Sequence, residues 1–102
     1  MTTAKFYAFG DRDDFDAFNS SLSEGIQERF LSDYPEAKAA AAYDEEEEIL
    51  SISFSVDAEG IEGVDTLLCE EICHENELYC EISDGSSTKS YYFDEEDEWS
   101  YR

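Results

Sequence analysis

Twenty-eight Asp and Glu stand against six Lys and Arg in 102 residues, a formal net charge of −22. Self-repulsion at that density works against any compact state. A fold built from this chain must therefore keep nearly every carboxylate in water and recover its stability from apolar burial. The apolar material exists. Hydrophobic residues are 41% of the chain and aromatics 15%, with seven Phe, seven Tyr and Trp99. Disordered acidic chains lack that content. The length suits one small domain with a core, and with little stability to spare.

The apolar positions predict the elements. Lys5 to Phe9 (KFYAF), bounded by Gly10 and Asp11, reads as a first strand. Phe15, Phe18, Leu22, Ile26 and Phe30 recur at spacings of three or four and predict one helix with a single apolar face. Asp11, Asp13 and Asp14 suit its N-terminus, and Pro35 closes it at about Asp33. Ala37 to Tyr43 fits either helix or strand. Leu50, Ile52, Phe54 and Val56 alternate with Ser51, Ser53 and Ser55, which predicts a strand with one face in the core and one in water.

A helix start is expected between Asp57 and Gly63. Val64, Leu67, Leu68 and Ile72 then carry helical spacing, and Glu59, Glu62 and Asp65 fall on the opposite side. Leu78 to Ile82, the turn Ser83 to Ser87 and Thr88 to Phe93 read as a hairpin. The order strand, helix, strand, strand, helix, strand, strand predicts a single α+β domain. Its antiparallel sheet carries two helices on one face, in a ferredoxin-like arrangement with an added strand.

Catalytic constellations are sparse. His74 is the only histidine, so a Cys–His nucleophile pair oriented by a third group has little to draw on. The five glycines match no phosphate-binding loop. Asp44 to Glu48 lacks the spaced ligands and glycine of a calcium loop. Cys69, Cys73 and Cys80 with His74 form the one cluster resembling a zinc site, but structural zinc sites use closely spaced pairs and four ligands. We expect the three cysteines to be small apolar core residues. An enzyme, a metal centre and a cofactor are therefore not expected. Three cysteines, no secretory pattern at the start and no apolar run of about 20 residues lead us to expect reduced thiols, no membrane span and a cytoplasmic setting, in a bacterial or archaeal cell.

Solubility alone asks for a net charge of roughly 2–8. The excess is an expectation of partners: such a surface repels nucleic acid and anionic membrane and attracts basic protein surfaces. The acidic runs are Asp11 to Asp16; Asp44, Glu45, Glu46, Glu47 and Glu48; Glu59, Glu62 and Asp65, continuing to Glu77; and Asp94, Glu95, Glu96, Asp97 and Glu98. Carboxylates on strands and helices repeat at spacings near those of nucleic-acid phosphates. The runs from Asp44 to Glu48 and Asp94 to Glu98, with Glu59, Glu62 and Asp65, are the expected contacts, and Trp99 and Tyr101 the expected apolar anchors.

In small size, few Lys and Arg, and these tracts, the chain resembles the DNA-mimic proteins, a functional class that includes anti-restriction and anti-CRISPR proteins of phages and mobile elements. The resemblance lies in charge, not in a motif. It implies occupation of the groove that a nuclease, CRISPR effector, repressor or histone-like protein keeps for nucleic acid, with no direct binding of nucleic acid. Two further readings stay open. The aromatic-acidic stretch Tyr91 to Tyr101 also resembles immunity proteins of the barstar and nuclease-colicin inhibitor kind, which cover a basic toxin nuclease. A halophile's housekeeping domain would likewise be acidic, although salt adaptation should spread charge more evenly. Oligomeric state, monomer or dimer, is open as well.

Overall fold

A computed structural model of the chain describes residues 1–93 and 99–101, the last two by their backbone. Strand β1 (Thr2–Phe9) runs into Gly10 and the helix α1 (Arg12–Ala17). Asp11 caps that helix: its side chain accepts from the Asp14 N–H (2.9 Å) and the Asp14 carboxylate accepts from the Asp11 N–H (3.0 Å). The chain continues through a π-helical turn (Phe18–Leu22) into α2 (Ser23–Asp33), which ends before Pro35 as its φ/ψ restriction demands. Strands β2 (Lys38–Asp44) and β3 (Ile49–Val56) form a hairpin. A 3₁₀ turn (Ile61–Gly63) leads to α3 (Thr66–Asn76), then β4 (Tyr79–Ser83), β5 (Thr88–Tyr92) and the two-residue β6 (Ser100–Tyr101).

The sheet order is β2-β3-β1-β4-β5-β6, with every neighbouring pair antiparallel. The class is α+β, as the sequence predicts. Ala37 to Tyr43, ambiguous in sequence, resolves as the edge strand β2. No helix among the described residues is long and apolar enough to cross a membrane.

One sheet face is the floor of the core. Ala4, Phe6, Ile52, Phe54, Cys80, Ile82 and Tyr91 meet Phe18, Ile26, Phe30, Leu68, Cys69, Ile72 and Cys73 from the helices. Phe30 stacks on Phe54 (centroids 4.2 Å apart), and Phe6 meets both edge-on at about 6 Å. The apolar half of the β3 alternation is as expected, with Leu50, Ile52, Phe54 and Val56 in this layer. The serine half is not open to water: Ser51 is buried, and Ser53 and Ser55 are half-buried between neighbouring strands.

Two expectations need correction. Leu22 does not join the apolar face: it is 44% exposed, and Ser23 is buried in its stead. The cause is the π turn. Its wider turn inserts one residue into the helical phase, so Phe18 and Ile26 face the core while Leu22 swings out. The hydroxyls of Ser20 and Ser21 bond back to the Ala17 carbonyl and that of Ser23 to Asn19, a habit that loosens helical ladders. The second correction is the start of α3. Glu59 and Glu62 lie before the helix, which opens at Thr66, and Leu67 is exposed. Asp65 sets that start by accepting from the N–H groups of Leu67 (3.0 Å) and Leu68 (3.4 Å). Gly63 is wedged against Ala58, whose Cβ a side chain there would meet at 2.5 Å.

Candidate functional site

None of the acidic side chains among the described residues is buried. Their placement follows from the hairpin and the helix caps. The β2–β3 turn carries Glu45, Glu46, Glu47 and Glu48, and Asp44 organises it by accepting from the N–H groups of Glu46 (3.0 Å) and Glu47 (3.2 Å). Glu48 takes a left-handed backbone conformation (φ 54°), and its carbonyl accepts from the Gly10 N–H at 2.9 Å. That bond latches the turn to the start of α1. Nine carboxylates therefore gather at one end of the sheet: Asp11, Asp13, Asp14, Asp16 and Asp44 to Glu48. Arg12 is the one cation of the two segments. It pairs with Glu45 and lies over the Tyr43 ring, 5.3 Å from its centroid. The Glu45 hydrogen bond and charge hold the Arg12 guanidinium above its ordinary pKa; partial burial, with the charges of Glu48 and Asp11, raises the Tyr43 phenol.

The open face of the sheet ends beside this cluster. Pairing register puts Phe9, Ile49 and Asp44 in one row across β1, β3 and β2. Tyr7 and Tyr79 occupy the next row. Tyr79 is a hub, 5.5 Å from Tyr7, 5.9 Å from Phe9, 5.5 Å from Tyr92 and 5.2 Å from Phe93. Phe9 is 64% exposed. The rest of this face is small and hydroxylic, with Ser51, Ser53, Ser55 and Ser90 between the aromatics, and Lys5 opposite Glu81. Lys5 Nζ lies 5.6 Å from the Tyr7 ring. This aromatic patch with an acidic border is a surface that sequence reasoning missed. The signal was present: Tyr7 and Phe9 stand two apart, so they share a face, and Phe6 must take the other.

The other expected contacts lie elsewhere. Glu59, Glu62 and Asp65 sit beyond the far end of β3, roughly 23 Å from the acidic turn at 3.3 Å per strand residue. Asp65 is engaged as the α3 cap, and its own N–H donates to the Tyr34 hydroxyl at 2.6 Å. On α3, Glu75 takes both oxygens to Arg29 Nη1 (3.0 Å each), and Glu71 pairs with Arg29 Nη2. These bonds brace α2 against α3. Asp94, Glu95, Glu96, Asp97 and Glu98 lie outside the described residues. Trp99 is half-buried rather than displayed. Its indole N–H donates to Glu70 (3.2 Å), its ring packs 5.2 Å from Tyr91, and Lys89 Nζ lies over it at 5.2 Å. Of Tyr101, the backbone pairs with Lys89 in β5.

Two other features have chemical groups. His74 Nε2 lies 2.5 Å from the Tyr91 hydroxyl, at a groove of about 470 Å³ lined with Leu67, Glu70, Glu71 and Glu75. Cys69, Cys73 and Cys80 are free thiols, fully buried side by side. Burial pushes the Cys80 thiol well up, and hydrogen bonds with Cys69 and Cys73 push it further. A protonated, buried thiol is a poor nucleophile and a poor metal ligand. His74 itself is exposed, with its ring on the Tyr91 hydroxyl.

No protein-family model, no curated protein and no solved structure matches this chain.

Proposed function

We propose that the protein is an acidic inhibitor that occupies the basic nucleic-acid-binding surface of a partner, such as a CRISPR effector, restriction enzyme or other nuclease. The observation that carries this reading is the state of the carboxylates among the described residues. All of those lie outside the core, and the ion pairs among the described residues engage only Glu45, Glu71 and Glu75. The remainder present an anionic surface with few internal counter-charges. Partner Lys and Arg grouped to receive phosphates would meet carboxylates instead, and long-range attraction would speed the encounter.

The contact end we favour is the acidic turn with Asp13 and Asp16 of α1, and Phe9, Tyr79 and Tyr92 as anchors. Arginine stacks on aromatic faces as readily as it pairs with carboxylates, and this chain already sets Lys5 and Arg12 over tyrosines. The same patch favours a second reading, an immunity protein covering a basic toxin nuclease, since exposed aromatics ringed by charge are typical binding anchors. Both readings share one mechanism and differ in the partner.

The test begins with affinity capture of the partner and its identification, followed by a competition titration against duplex DNA and RNA. Mutually exclusive binding, weakening steeply as salt rises, is expected. The Glu46→Lys/Glu47→Lys variant should lose at least tenfold in affinity, whereas Glu59→Lys/Glu62→Lys, equal in charge change, should lose far less. Simultaneous binding of protein and nucleic acid to the partner would sink the mimic.

A further inference from the structure

Strand β2 is an end strand of the sheet: among the described residues its only strand neighbour is β3. Its sequence is Lys38-Ala39-Ala40-Ala41-Ala42-Tyr43-Asp44, and all of it but Tyr43 is exposed. Proteins blunt such an edge with a central Lys, a Pro, a bulge or a very short strand, because its free N–H and C=O groups invite another strand. Here seven paired residues run without a bulge, and the four in the middle are alanines. The charges sit at the two ends and have opposite signs.

We propose that β2 pairs antiparallel with β2 of a second copy, about a twofold axis at Ala41, joining two sheets into one. The register follows from arithmetic. A twofold axis perpendicular to the sheet pairs residues of equal facing, so paired numbers must sum to an even value. The sum 82 pairs all seven residues: Ala41 with its own copy, Ala40 with Ala42, Ala39 with Tyr43 and Lys38 with Asp44. Both copies of Lys38 then face a carboxylate. A shift of two residues either way removes that match and shortens the ladder. Facing is preserved too, since Ala39, Ala41 and Tyr43 share the face of Phe54, Ile52 and Leu50.

The electrostatics make a prediction opposite in sign to partner binding. Two chains of −22 repel, and two exposed ion pairs contribute little against that. The pairs select the register, while backbone hydrogen bonds and the joined sheet faces hold it. Self-association therefore tightens as salt rises, whereas attraction to a basic partner weakens. The proposal stands independently of the function proposed above.

Sedimentation equilibrium from 0.05 to 0.5 M NaCl is the first measurement. A dimer of twice 11.7 kDa is expected, with Kd falling at least tenfold across the series. Lys38→Glu, which sets like charges opposite each other twice, should weaken it about tenfold or more. Asp44→Asn keeps the turn's acceptor and lowers the net charge, yet should weaken the dimer several-fold. Glu46→Gln, the same charge change off the pairing line, should not. Position is read by cross-linking. In the Ala41→Cys variant the paired Cα atoms would lie about 4.5–5.5 Å apart, within disulfide reach. In Ala39→Cys the two copies would be roughly 13 Å apart along the strands. Mild oxidation should link the first and not the second; the native thiols are buried. A monomer at every salt concentration, equal cross-linking of both variants, or a dimer indifferent to Lys38→Glu would overturn the proposal.

Discussion

Asp84 shows how one carboxylate of many comes to matter for the fold. It opens the β4–β5 turn and accepts from the N–H groups of Ser86 (2.9 Å) and Ser87 (2.7 Å). Those bonds hold its pKa below the ordinary 3.8. A carboxyl depressed in the folded state adds stability above its unfolded pKa and loses it as pH falls through the folded value. Asp84→Asn keeps an acceptor but cannot titrate. Its stability deficit relative to the native protein should therefore be present at pH 6 and shrink below about pH 4, in chemical denaturation run at several pH values. A deficit independent of pH would show that the charge is idle. The buried thiols make the contrasting case. Cys69, Cys73 and Cys80 should resist a thiol reagent until the protein unfolds, and elemental analysis should find no stoichiometric zinc. One zinc per chain, lost together with the fold on chelation, would make them ligands.

At the scale of elements, the π turn separates residues that look equivalent in sequence. Phe18 is 3% exposed and Leu22 44%. Phe18→Ala should cost about 3–5 kcal/mol, the range for deleting a core aromatic. Leu22→Ala should cost under about 1 kcal/mol, as for a surface site. Urea unfolding reads both, and equal losses would mean that the helix keeps a regular 3.6-residue phase. The hydrophobic periodicity revealed that a helix was there, and its ends were legible in Asp11 and Pro35. The inserted residue was not, because a π turn changes phase without changing composition. The start of α3 was misjudged for a related reason. Acidic residues at spacings of three resemble a helix face, but Gly60 and Gly63 keep that segment out of the helix, and only the packing of Gly63 on Ala58 makes this visible.

For the whole molecule, repulsion among carboxylates adds to the conformational entropy that opposes folding, and the apolar layer is the cohesive force. Screening should therefore stabilise the fold, since the Debye length falls from about 30 Å at 0.01 M salt to about 10 Å at 0.1 M. The melting temperature should rise by several degrees over that range, at each of two protein concentrations, so that any association is separated from screening. A flat or falling series would show that the fold is not limited by repulsion. Unfolding at any salt below molar would instead favour a halophilic protein.

The sequence by itself determined the class of the fold, the inward positions of β3 and α2, the helix ends at Asp11 and Pro35, and the exclusion of the described acidic residues from the core. Each follows from local chemistry: period two against period 3.6, a carboxylate at free N–H groups, a proline without one, and the cost of burying charge. Tertiary structure alone decided which acidic runs meet. Asp11 to Asp16 and Asp44 to Glu48 are separated by some 30 residues of chain, and the Gly10–Glu48 bond joins them, while Glu59, Glu62 and Asp65 go to the far end. It also decided that Trp99 packs on Tyr91 and that Phe9 stays in the open. The physical reason is register. A strand's side chains alternate whatever it pairs with, but what lies beside each one depends on which strand is next and how far along it sits.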